Sequence, residues 1–300
     1  MERITLCYDH EEPIRLDKFL ASELDDFSRS RIQDLIEKGM IRVQEKMVKA
    51  SHLLKKGDWI EIEIDEPVPS DIVAEDIPLE IVYEDGDLLV VNKPSGMVVH
   101  PAVGHFHGTL VHALMHHCKD LSGINGIARA GIVHRIDKDT SGLLVVCKND
   151  HAHKNISRQL AEKTAMRKYV AIVHGVIPHN HGKIDAPLGR NPNNRQQFSV
   201  VESGKNAITH FNVLERFENQ TLVELMLETG RTHQIRVHMQ YIGYPVVGDP
   251  VYGPKKKIGD RGQFLHAKTL GFVHPTHKTY MEFSSELPDF FMDYLKKIRD

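Results

Sequence analysis

Gly131-Ile132-Val133-His134-Arg135-Ile136-Asp137-Lys138-Asp139-Thr140-Ser141-Gly142 runs directly into Leu143-Leu144-Val145-Val146-Cys147. The apolar run reads as a strand, and the hydrophobic residues on either side bury the polar stretch before it. A cluster of His, Arg, Asp and Thr between buried strands is costly unless its members pair with one another. Two readings are open on these residues alone. One is a turn held by an Arg–Asp pair and by Thr and Ser bonds to the backbone; the other is a functional site.

Working outward, further strand-like runs fall at 88–91, 169–174, 207–217, 221–228 and 278–283, and helical patterns at 151–163, 232–242 and 289–298. Strands do not alternate regularly with helices, and no Gly-rich phosphate loop is present, which argues against a Rossmann or P-loop nucleotide site. The pattern is α+β with more strand than helix. A second polar cluster, Gly230-Arg231-Thr232-His233-Gln234-Ile235-Arg236-Val237-His238, joins a strand end to a helix with Ile235, Met239 and Ile242 on its apolar face. Thr232 is the expected N-cap. Arg236 borders the apolar face, so partial burial and a carboxylate or phosphate partner are expected of it.

Residues 13–60 form a unit of their own. Leu16, Phe19 and Leu20, then Ile32, Leu35 and Ile36, recur at helical spacing, with Ser28 placed to cap the second helix and Gly39 to end it. Trp59 and Phe19 are expected in its core. Arg29 and Arg31 stand at a helix N-terminus, where basic side chains oppose the helix dipole. They are either a solvated helix start or a hint of an anionic ligand. A connector containing Pro67, Pro69 and Pro78 follows.

The chain has 300 residues, 41% hydrophobic and 26% charged, with a formal net charge of −3. That charge is unevenly spread: residues 61–87 hold eleven acidic side chains and no Lys or Arg, whereas 13–60 carry +2 and 88–300 carry +9. Phosphate attraction depends on fields within a Debye length, so the local charges are the ones to weigh. Cys7, Cys118 and Cys147 support neither a disulfide framework nor a zinc ribbon. No apolar run suits a membrane span and the N-terminus does not read as a signal peptide, so a cytoplasmic, membrane-free protein is expected.

His134-Arg135-Ile136-Asp137 followed by Thr140-Ser141-Gly142 resembles the signature of the RluA/RluD family of pseudouridine synthases, with Ile136 where Leu is more usual. Other motifs of that family are matched in order by Val91-Asn92-Lys93-Pro94-Ser95-Gly96, Arg167-Lys168-Tyr169-Val170-Ala171, Gly230 to His238, Pro245 to Gly253, and Leu265-His266-Ala267. Residues 14–60 resemble the RNA-binding module of the fourth small-subunit ribosomal protein. The resemblance implies a module at 13–66, an acidic connector at 67–87 and a catalytic domain at 88–300, the last on a mixed, mainly antiparallel sheet with flanking helices.

It further implies an isomerase that flips uridines out of RNA, most closely like the branch acting on large-subunit ribosomal RNA. Asp137 would be the nucleophile, attacking either the ribose or the uracil ring, and Arg236 its ion-pair partner. Tyr169 would stack on the base and accept a proton, and Arg135 would fill the vacated place in the stack. Arg29, Arg31 and Arg231 are expected on RNA, and a monomer is expected.

The isomerisation is redox-neutral, so no cofactor is expected. His105/His107, His112/His116 and His151/His153 lack the acidic and third-His spacing of a known zinc signature, so no metal is expected either. Lys255-Lys256-Lys257 reads as a solvated loop or a phosphate contact. A non-catalytic RNA-binding factor on the same fold is the alternative, and the presence of Asp137, Tyr169 and Arg236 weighs against it.

Overall fold

The computed structural model describes residues 2–24, 29–64, 73–102, 105–124, 126, 130–194, 197–254, 258 and 261–300, with side chains for all of these but 2, 3, 29–31 and 64. The chain divides into two compact units, Met1–Asp71 and Ile72–Asp300.

The first unit contains β1 (Glu2–Tyr8), β2 (Ile14–Arg15), α1 (Leu16–Glu23), α2 (Arg29–Glu37), β3 (Ile41–Val43), β4 (Lys46–Met47), β5 (Leu53–Leu54) and β6 (Asp58–Ile64). The apolar positions at helical spacing close on the sheet β1-β6-β3-β4, giving a core of Leu16, Phe19, Leu20, Ile32, Leu35, Ile36, Ile41, Val43, Ile60 and Ile62. After α2 the chain reverses at Gly39 (φ +71°), where the Met40 amide reaches back to the Leu35 carbonyl at 2.9 Å. Ser28 lies outside the described residues. Trp59 is not core: the period of two that buries Ile60 and Ile62 turns Trp59 outward, 53% exposed.

The second unit contains β7 (Glu80–Glu84), β8 (Leu88–Lys93), α3 (Leu110–His117), β9 (Ser141–Cys147), α4 (Asp150–Ala161), β10 (Met166–His174), β11 (His181–Asp185), β12 (Leu188–Arg190), β13 (Phe198–Val200), β14 (Ile208–Arg216), β15 (Gln220–Leu227), α5 (Gln234–Tyr241), β16 (Leu265–Val273), β17 (Tyr280–Ser284) and α6 (Asp289–Arg299). Its main sheet runs β11-β14-β15-β10-β16-β9-β8-β7, with β17 also paired to β16. Among the described residues of this sheet, only β9 and β16 pair in parallel; the other pairs are antiparallel. Helices cover both faces, so the central strands are apolar on both sides. Leu89, Val91, Leu144 and Val146 meet Leu110 and Leu114 of α3 and Ile235 and Met239 of α5. Leu88, Val90, Leu143 and Val145 meet Ala152 and Ile156 of α4, while Val170 and Ile172 share a cluster with Phe291 and Leu295 of α6.

Part of the stretch expected to be connector is strand. In β7, Ile81 and Tyr83 are partly covered, while Glu80 and Glu84 face solvent on the sheet edge. An edge strand of this kind accommodates acidic side chains on its open face.

Candidate active site

The parallel bridge of β9 and β16 fixes the polar loop that precedes β9. Gly142 has φ +115°, and a Cβ there would stand 2.3 Å from the Ala267 carbonyl oxygen, so only glycine allows the two strands to meet. Upstream, loop 133–140 is fastened from several sides. The Lys93 ammonium, itself buried, donates to the carbonyls of Pro94, Met97 and Lys138 at 2.8, 2.8 and 2.9 Å. The Gly96 amide also reaches the Lys138 carbonyl, and the Ser95 hydroxyl donates to that of Asp139. Gln263 Nε2 holds the Thr140 hydroxyl at 3.0 Å, and the Val145 amide donates to His134 Nε2 at 3.1 Å. Asp137 sits in the middle of this loop with a side chain 18% exposed.

Arg236 reaches the same place from the first turn of α5. Gln234 organises the approach: its Oε1 accepts from Thr229 Oγ1 and the Arg231 amide, and its Nε2 donates to the Ile208 carbonyl and to Thr209 Oγ1. Thr232 is not the N-cap. His233 takes that position in the left-handed region (φ 57°, ψ 18°), held by Nδ1 at 2.9 Å from the Tyr252 hydroxyl. A non-glycine residue there is strained, and such strain persists only where the surroundings impose it.

The buried Arg236 guanidinium donates from Nη1 to Asp137 Oδ2 at 2.9 Å, and from Nε and Nη2 to Asp249 at 2.6 and 2.9 Å. Its plane lies over the Tyr252 ring, 5.0 Å from the centroid. Burial opposes the charge on Arg236, but the hydrogen bonds and charges of Asp249 and Asp137 prevail and raise its pKa. For Asp249, burial is likewise outweighed, here by Arg236 and the Tyr252 and Val251 amides, so its carboxyl is held below the usual range.

Asp137, Arg236, Tyr169, Arg135 and Arg231 line one open cavity of about 470 Å³, together with His134, Arg167 and His233. Burial raises the pKa of Tyr169, against the pull of Arg167, so the phenol stays protonated. Burial pushes His134 down to about 3, helped by the Arg167 charge, which agrees with its Nε2 accepting an amide hydrogen. His233 is lowered by burial while Asp137 opposes the shift; its Nε2 lies 3.9 Å from Asp137 Oδ1, beyond hydrogen-bond reach. Among the described residues, the buried Arg167 has one long bond, Nη2 to the Glu228 carbonyl at 3.5 Å, and its Nε has no hydrogen-bond partner. Gly230 leaves it room: a Cβ there would lie 2.7 Å from Nη1.

Of the residues expected from sequence, Arg135 is exposed on the cavity wall, and Arg231 is an exposed residue whose Nε donates to the Asn206 carbonyl. Arg29 opens α2 but its side chain, like that of Arg31, lies outside the described residues, as do Lys255, Lys256 and Lys257. Sequence reasoning assigned no role to Arg167, His233 or Asp249, although all three fall inside quoted motifs. The signal was present for Asp249, because a buried Arg requires counter-charge and a second acid stood thirteen residues away.

The RNA pseudouridylate synthase profile matches residues 87–241, and the S4 domain profile matches residues 14–60. An uncharacterized RNA pseudouridine synthase of Bacillus subtilis is 55% identical over 300 residues, 100% of this chain and 99% of that protein. Ribosomal large subunit pseudouridine synthase D of Zymomonas mobilis is 48% identical over 96% of this chain and 94% of its own length. Among solved structures, human RNA pseudouridylate synthase domain containing 1 superposes with a TM-score of 0.58 at 26% identity, covering 75% of this chain and 96% of that one. With Asp137, Tyr169 and Arg236 converging inside the matched segment and an S4 domain ahead of it, the chain belongs to the RNA pseudouridylate synthase family.

Proposed function

We propose that this protein converts uridines of large-subunit ribosomal RNA to pseudouridine, with Asp137 as nucleophile, acting as a cytoplasmic monomer without a cofactor. The observation that carries the reading is the Arg236–Asp137 contact of 2.9 Å inside a polar cavity that also presents the Tyr169 ring. A purely structural pair has no need of such a cavity, and Asp249 alone would neutralise Arg236.

The reaction breaks the N-glycosidic bond, turns the uracil and joins its carbon 5 to the ribose. The proton on carbon 5 leaves and one is taken up at nitrogen 1, so the balance is neutral. Asp137 attacks the nucleoside as a carboxylate, with the Arg236 guanidinium held against its Oδ2; the bond it forms breaks again as the product is completed, which returns the free carboxylate. Tyr169 stacks on the uracil, and its hydroxyl relays the departing proton, accepting it from carbon 5 while releasing its own to water in the open cavity, and water returns a proton to nitrogen 1. Arg167 supplies a buried cation beside that ring. The uridine must first leave its stack, at a cost of a few kcal/mol, and Arg135 occupies the gap. Arg231 contacts the RNA backbone, as do Arg29 and Arg31 of the S4 domain.

Support for the ribosomal substrate comes from the relatives named for large-subunit RNA and from the S4 domain. Pseudouridine mapping on total RNA from cells with and without the gene tests it. Loss of defined sites in large-subunit ribosomal RNA is expected. Loss confined to transfer RNA would overturn the substrate, and unchanged maps would favour an RNA-binding factor without catalysis.

A further inference from the structure

The histidines of residues 105–116 have no acidic neighbour in sequence, but the fold supplies one. Glu75 comes from 32 residues before His107, on the segment leading into β7, and its Oε1 lies 3.2 Å from His107 Nδ1 and 3.7 Å from His112 Nε2. The three ligand atoms all stand within 4.8 Å of one another. Around a tetrahedral zinc ion with bonds of about 2.0–2.2 Å, neighbouring donors stand roughly 3.3 Å apart.

We propose that Glu75, His107 and His112 bind one divalent cation of the zinc class, with water as the fourth ligand, and so tie the segment before β7 to the N-terminus of α3. Three features make this a built site. First, His112 is wholly buried, yet its Nε2 has no hydrogen-bond partner among the described residues. An unsatisfied buried polar atom is destabilising, and a cation removes that cost.

Second, the groups behind the ligands are already in place. His112 Nδ1 faces Thr109, 2.7 Å from the hydroxyl and 3.3 Å from the amide. Without a metal, Nδ1 accepts the Thr109 amide hydrogen; a cation on Nε2 exchanges that bond for one in which Nδ1 donates to the Thr109 hydroxyl, the arrangement usual behind metal-bound histidine. In the metal-free tautomer the Nε2 hydrogen points toward a carboxylate too distant to accept it. The Gly108 amide lies 3.0 and 3.3 Å from the two Glu75 oxygens and fixes the carboxylate, while the Glu75 amide bonds to the His112 carbonyl. Third, the His107 side chain is 78% exposed, which leaves the site open to ions from solvent.

Two other clusters of donors fit a cation less well. In Asp85, His274 and His277, both His274 nitrogens are already engaged, Nε2 with Asp85 and Nδ1 with the amides of Thr276 and His277. In Glu84, His117 and Cys118, burial pushes the thiol up to about 11, away from the thiolate that binds metal. None of Glu75, His107 and His112 lines the catalytic cavity, so the cation is structural.

The test is a zinc titration of untagged, chelator-stripped full-length protein by calorimetry, with cobalt substitution followed by visible absorption. One site per chain is expected, with a tetrahedral cobalt spectrum and a higher melting temperature in zinc. His107→Ala and Glu75→Gln should each weaken zinc binding at least about tenfold, while His117→Ala leaves it unchanged. His107 is exposed, so its variant keeps the fold even where His112→Asn does not. Zinc binding that survives His107→Ala unaltered, or no binding at all, would overturn the site.

Discussion

Asp249 grips Arg236 along one edge of the guanidinium, Oδ2 to Nε at 2.6 Å and Oδ1 to Nη2 at 2.9 Å, and so turns Nη1 toward Asp137. The Asp249 side chain is fully buried and its Oδ1 also takes the Val251 and Tyr252 amides, so it is itself immobile. Asp249 is therefore a positioning residue for the pair beside it. Asp249→Asn keeps the shape but removes a charge and an acceptor. It is expected to lower kcat by about tenfold to a hundredfold, or roughly 1.4–2.7 kcal/mol of barrier, with little change in KM. Arg236→Lys should do likewise, because an ammonium lacks the planar fork that serves two carboxylates at once. Arg236→Ala should cost more still. A loss of melting temperature with unchanged kcat in these variants would reduce the network to a packing device.

Asp137→Asn is expected to abolish turnover while RNA affinity and melting temperature stay near those of the unaltered protein. The amide is nearly isosteric but a far weaker nucleophile. It can still accept from Arg236 through its oxygen. Single-turnover assays with excess enzyme read the chemical step directly. Residual activity above about 1%, a threshold of ~2.7 kcal/mol, would remove Asp137 from the nucleophile's role.

His134 gives the protein an acid-sensitive point. Its folded pKa is pushed down to about 3 by burial and by the Arg167 charge, whereas in the unfolded chain a histidine titrates near 6.5. Between these values the unfolded state binds a proton that the folded state does not. Stability therefore falls as pH drops from about 6.5 toward 3, and His134 adds no pH dependence above that window. His134→Gln retains an acceptor for the Val145 amide and has nothing to titrate. Urea unfolding at several pH values should show a shallower acid decline in the variant, clearest between about 6.5 and 5, before most carboxylates protonate. Parallel curves for the two proteins would mean that His134 is solvated.

Period and polarity made the elements around the site legible. The uninterrupted apolar run 143–147 is β9, and the helical spacing of Ile235 and Met239 is α5. Less legible was β16, which pairs with β10, β9 and β17: His266, Lys268 and Thr269 break its apolar pattern. The buried His266 is satisfied by Ser141 on one side and Ser285 on the other, partners that only the fold brings near. Helix α3 was less legible too, because His112, His116 and His117 interrupt the apolar pattern of Leu110, Val111 and Leu114. At the site, residue identities could be carried over from motifs. The division of one guanidinium between two carboxylates depends on three segments meeting in space, which spacing along the chain does not reveal.

The last expectation concerns the N-terminal unit. Met1–Asp71 carries its own core of Leu16, Leu20, Ile32, Ile41 and Ile60, so its apolar residues do not depend on the catalytic unit for burial. Every residue lining the cavity lies between His100 and Leu265. Deleting residues 1–71 should therefore leave the chemical step intact and remove one RNA contact surface. The S4 domain contributes a local positive charge. Phosphate contacts of that kind add sequence-independent affinity that weakens steeply with salt. On ribosomal RNA, the truncated enzyme is expected to show a KM raised about tenfold or more and a flatter salt dependence. On a short stem-loop that reaches only the cavity, its kcat should stay within about threefold of the full chain, less than 1 kcal/mol of barrier. Measuring both substrates at two salt concentrations separates the cases. An unchanged KM on ribosomal RNA would mean that the unit does not hold RNA, and an insoluble truncation would assign it a structural role.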